Sequence, residues 1–133
     1  MSFVRTIVQD GALSRYARAG DYSTFNPVIT LNAVDANDIM TAAEISTGVM
    51  QYTAFTAGRT LTTDTAANIL AANPAMDIGD ALMCKVSIVP AFAGTFAAGA
   101  GVTLQGRATC PAASAVDVCI VKTSATTVDW RVL

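Results

Sequence analysis

The stretch Leu82 to Val89 alternates without a break: Leu82, Cys84, Val86 and Ile88 take one side, and Met83, Lys85, Ser87 and Val89 the other. A period of two is the signature of a β-strand with one face on a core, and Pro90 closes the run. Weaker versions of the pattern recur along the chain. Pro27-Val28-Ile29-Thr30-Leu31 starts a strand behind a proline. Val49 to Phe55 puts Val49, Gln51, Thr53 and Phe55 on one face and Met50, Tyr52 and Ala54 on the other, and neither face is charged. Thr95-Phe96-Ala97 and Val102-Thr103-Leu104-Gln105 flank Gly99 and Gly101, where a tight turn needs positive φ. Val116 to Lys122 and Thr126 to Val132 form a last pair joined near Thr123-Ser124-Ala125. Short strands separated by turns predict an all-β domain, a sandwich or a barrel.

One helix interrupts this pattern, near residues 64–72. Thr62 or Thr63 suits its N-cap, and Asp64 sits at the positive end of its dipole. Ala66, Ile69 and Leu70 have helical spacing, and Asn73-Pro74 ends it, because the residue before proline is pushed out of the α region. So short a helix is unstable alone and must lie against the sheets. Met40 to Ile45 also opens toward a helix, but Ser46-Thr47-Gly48 stops it. Residues 1–24 mix Gly, Ser, Arg and Ala without period and are read as an N-terminal arm, with the domain running from 25 to 133.

Only 14% of the 133 residues are charged, against 53% hydrophobic; ordinary globular domains carry about 25% charge. A surface this poor in charge is expected where copies or partners cover it, since interface cores are depleted in charge. No stretch reaches the roughly 20 apolar residues of a membrane span, and Met1-Ser2-Phe3-Val4-Arg5-Thr6 lacks the apolar core of a secretory signal. The expectation is a soluble protein made in a cytosol, with no membrane partner. The net charge of −2 gives no field for holding nucleic acid. Arg5, Arg15 and Arg18, interleaved with Phe3 and Tyr16, are read as an arm that docks on a protein neighbour. The odd number of cysteines, Cys84, Cys110 and Cys119, shows no metal spacing and suits reduced thiols.

Catalytic chemistry finds little support. The chain has no histidine, which removes the commonest general base and metal ligand. Asp35, Asp38 and Glu44, and Asp77 with Asp80, sit among turn residues, where acids hydrogen-bond nearby backbone. Asp35, Asn37 and Asp38, or Asp77 and Asp80, offer calcium hard oxygens at short spacing, but neither set matches an EF-hand loop, and the turn role is preferred. The chain is therefore read as non-catalytic, with no cofactor. Trp130 is expected to be pinned in the core or a subunit contact rather than to act as a ligand platform.

Three segments in order carry a resemblance. The first runs Thr41-Ala42-Ala43-Glu44-Ile45, Gly48-Val49, then Gly58-Arg59-Thr60-Leu61-Thr62-Thr63-Asp64-Thr65-Ala66-Ala67 with Ile69-Leu70. The second is Ile78-Gly79-Asp80-Ala81-Leu82, followed by Thr95 to Gly106 as a hairpin. The third runs from Val121-Lys122-Thr123 to Trp130. Over about residues 39–133 this resembles small structural proteins of large DNA viruses and marine phages, departing at Ala100 and in the arginine-rich arm. The resemblance implies an antiparallel β-sandwich, jelly-roll-like or tumour-necrosis-factor-like, commonly a homotrimer. It also implies a place on the virion as a decoration, cement or minor capsid protein bound to major capsid or other virion proteins. The alternative is a receptor- or glycan-binding fibre head, working through loops such as Thr56 to Thr60 or Gly106 to Ser114. The family supplies no catalytic residues. On this reading Arg5, Arg15, Tyr16 and Arg18 anchor the arm to the capsid, and Met50, Tyr52, Phe55 and Trp130 lie in the core or at the subunit contact.

Overall fold

A computed structural model describes residues 28–133; the arm, with Arg5, Arg15, Tyr16 and Arg18, lies outside the described residues. The strands are β1 (Val28–Asn32), β2 (Asp38–Met40), β3 (Gly48–Tyr52), β4 (Arg59–Thr63), β5 (Ala81–Ile88), β6 (Gly94–Ala97), β7 (Val102–Gly106), β8 (Thr109–Cys110), β9 (Ser114–Lys122) and β10 (Val128–Val132). Among the described residues they form a six-stranded sheet, ordered β1-β3-β5-β9-β10-β7, and a four-stranded sheet, ordered β2-β4-β6-β8. The result is a mostly-β sandwich, as the spacing of short strands predicts.

From β1 to β8 the chain changes sheet at every strand. It winds as a flattened coil, each rung pairing one strand of the large sheet with one of the small: β1 with β2, β3 with β4, β5 with β6. A strand that returns to its sheet after a full turn runs in its original direction, so β1, β3 and β5 are parallel neighbours, as are β2, β4 and β6. This corrects the expectation of antiparallel pairing throughout. Antiparallel pairs occur where the chain doubles back, at β5·β9, β9·β10 and β6·β8. The run of residues 95–105 is likewise no hairpin: β6 and β7 lie in different sheets, and β7 pairs in parallel with β10.

Two helices among the described residues form the wide corners of the coil. The first, α1 (Ala42–Thr47), has a full capping box: the Glu44 amide donates to Thr41 Oγ1 and the Thr41 amide to Glu44 Oε1. Gly48, at φ 108°, ends it and starts β3. The second, α2 (Ala66–Ala72), is the expected helix, but its N-cap is Thr65. Thr62 and Thr63 belong instead to β4, a strand whose short length and flanking turn hid it. Asp64 joins the two corners. Its Oδ2 accepts from the Ala42 amide (2.8 Å), and its Oδ1 from the Thr65 amide and Asn68 Nδ2 (2.7 Å each). Burial pushes its pKa up, but these three hydrogen bonds outweigh that, and the net shift is downward.

The narrow corners stack as well. The Thr53 amide donates to Asn32 O and the Val89 amide to Tyr52 O, so each rung's turn hangs from the rung before it. Between the sheets lies one core. The large sheet contributes Met50, Tyr52, Val86, Ile88, Val118, Ile120, Val128 and Trp130; the small sheet contributes Met40, Leu61, Phe96 and Cys110; the helices add Ile45 and Ile69.

Candidate interaction surface

The acidic residues of the described chain are mostly engaged in holding it together. Asp35 accepts from the Thr56 amide (2.9 Å), the Thr56 hydroxyl and Arg59 Nη2 (2.7 Å). These bonds, Thr56 side chain first, then Thr56 backbone and Arg59, pull its pKa down to about 2. Asp38 accepts from the Tyr52 hydroxyl at 2.9 Å. Asp117 pairs with Lys85, Asp129 takes Gln105 and Arg131, and Asp80 accepts from the Asp77 amide. Among the described residues no three acids or cysteines gather where a metal ion would sit.

The thiols are equally engaged in packing. Cys84 and Cys110 are buried, and burial raises them to about 12 and about 11, so both stay protonated at neutral pH. Cys110 lies 3.6 Å from the carbonyls of Val86 and Ser114. Cys119 is half-buried on the outer face of β9, beside Met83 of β5.

The residues expected in the core or at a subunit contact are all inside the described domain. Met50, Tyr52 and Trp130 have no exposed surface and Phe55 almost none. Tyr52 and Phe55 stack tilted at 5.2 Å between centroids, and Trp130 meets Phe96 at 6.0 Å. Burial first, then the neighbouring Asp38, pushes the Tyr52 hydroxyl pKa strongly upward, so it remains a donor. The two loops considered for glycan binding are braced. Thr56 and Arg59 are tied to Asp35, and the Thr60 amide to Asn37 Oδ1. In the second loop, Cys110 is buried and Ser114 Oγ donates to Ala112 O.

What remains for chemistry on the outside is apolar area. Val28, Ile29, Leu31, Val34 and Ile39 are exposed, Leu31 by 66%. All five belong to the first rung or its turn. Sequence periodicity did not single them out, because Ile29 and Leu31 alternate just as core residues do. The outer face of the large sheet continues this surface. Its cross-strand rows read Ile29, Val49, Lys85, Asp117 and Leu31, Gln51, Ser87, Ala115. The one charged pair in those rows neutralises itself. Among the described residues no helix is long and apolar enough to cross a membrane.

No protein-family model, curated protein or solved structure matches the chain.

Proposed function

We propose that this chain is a virion structural protein, a capsid decoration, cement or minor capsid module that acts through oligomeric protein–protein contacts. Its partners are copies of itself, in a homotrimer, and the major capsid or other virion proteins. The observation that carries the reading is the apolar first rung and neutral outer sheet, in a domain whose acids and thiols serve its own packing. Such a surface works by area, and repetition on a particle multiplies modest contacts by avidity. The segmental resemblance described above supplies the virion as the place.

Purified virus particles provide the test. The chain should co-sediment with intact particles at a copy number matching a repeated capsid position. Deleting residues 1–24 should leave a folded oligomer that no longer binds particles. Absence from intact particles would overturn the reading. Selective retention on a glycan array, without capsid binding, would replace it with a receptor-binding head.

A further inference from the structure

The first rung is the end of the coil, and among the described residues nothing pairs with the outer edges of β1 and β2. Edge strands that stay in water usually carry a lysine, a proline or a bulge that discourages pairing. The β1 strand, Val28-Ile29-Thr30-Leu31-Asn32, has none of these. The far end of the coil differs. There β7 shows Thr103 and Gln105, Arg107 follows, and the Gln105 amide is occupied by Asp129.

We infer that the β1–β2 end is the contact through which a second copy of this chain docks, related by a two-fold axis that runs β1 against β1 and β2 against β2. Three observations select a second copy in that orientation. The edges of both sheets end at the same rung, so one axis extends both sheets at once. An isologous contact sets the same patch against itself, where like charges would repel; β1 is uncharged, and the one charge of β2, Asp38, is held by the Tyr52 hydroxyl of its own chain. Head-to-tail stacking would press this apolar rim against the polar β7 end and leave an open rim on every assembly.

The side chains that flank the two edges suit this pairing: Ile29 and Leu31 on the outer face of β1 and Ile39 on that of β2 are each more than half exposed, and the axis sets apolar groups beside apolar groups. This inference rests on the self-association half of the proposed function and not on the virion. In a trimeric unit the same contact would join one trimer to the next.

Sedimentation of the purified full chain tests it, with Leu31→Lys as the variant and Ile78→Lys as the control, since Ile78 is as exposed as Leu31 but lies in the turn before β5, away from the rim and from the outer sheet face. Leu31→Lys should halve the mass of the native species, and Ile78→Lys should leave it unchanged. The β1 amides that point away from β3 should exchange slowly in the native protein and at least tenfold faster in Leu31→Lys. Equal masses for native protein and Leu31→Lys would overturn the inference. So would a native monomer with those amides still protected, which would mean that the chain's own first 27 residues cover the edge. Particle binding by Leu31→Lys, measured alongside, separates the two proposals: binding without a change of mass sinks this one alone.

Discussion

The third rung and the first are built from similar residues yet behave differently. In β5 of the third rung, and in its sheet neighbour β9, the alternation resolves cleanly: Cys84, Val86, Ile88, Val116, Val118 and Ile120 are buried, while Met83, Lys85 and Asp117 face out. In β1 the same alternation leaves Val28 on the core side exposed and Ile29 and Leu31 exposed on the other. The difference is one of neighbours. A strand in the middle of a coil has a rung on each side and a sheet across from it, whereas the terminal rung has only one. Alternation in sequence therefore says which residues share a face, and position in the winding decides whether that face is dry.

The comparison predicts a gradient of mutational cost from the middle of the sandwich to its rim. Trp130→Ala should cost the most, about 3–5 kcal/mol in a denaturant titration, because it empties the space between Phe96 and the large sheet. A cost below about 1 kcal/mol would mean that the centre tolerates cavities and that the contrast with the rim is false. Replacing Tyr52 and Phe55 together by Ser should lower the melting temperature or dissociate the oligomer, since both rings fill the core beside the first rung. If neither changed, those rings would not be packed as described.

At the wide corners, Asp64→Ala should cost about 1–2 kcal/mol, by leaving the amides of Ala42 and Thr65 without their acceptor. Asp64→Asn separates charge from geometry through pH. Both Asp35 and Asp64 have folded pKa values below the ordinary 3.8. Their stabilisation is therefore complete above that value and lost as pH falls through the folded one. For Asp35 the window runs from 3.8 down to about 2. Acid melting curves of Asp64→Asn should be flatter below 3.8 than those of the native chain; an unchanged slope would remove Asp64 from the account. The smallest effect belongs to the rim. Leu31→Ala should change the stability of the separated domain by less than about 0.5 kcal/mol, while weakening self-association in sedimentation.

How much of this could be read from the chain follows from the same contrast. Local signals were legible. The turn at Gly101, which has the expected positive φ while Gly99 does not, the alternation of β5, the helix closed by Asn73-Pro74 and the β9–β10 hairpin all depend on residues close in sequence. The winding was not. A strand that meets its neighbour after a full turn leaves the same spacing of apolar runs as one that folds straight back, so Val28 opposite Gly48 has no local trace. The true cap Thr65 and the strand β4 were confused for a related reason, since Thr62 and Thr63 are equally good as cap acceptors and as strand residues. The apolar first rung was visible only as composition, because exposure depends on what comes before and after in space.

The position of β7 has a consequence for the order in which the sheet can be completed. It is an edge strand whose single partner in the large sheet is β10. That partner leaves the ribosome later, after β8 and β9 have been made. Until residues 128–132 emerge, Val102 and Leu104 have no hydrogen-bonded row to join, and β9 has only β5 beside it. Completion of the large sheet is thus timed by its own last strand. A nascent chain released before that point would carry two incomplete edges, open to pairing with other chains.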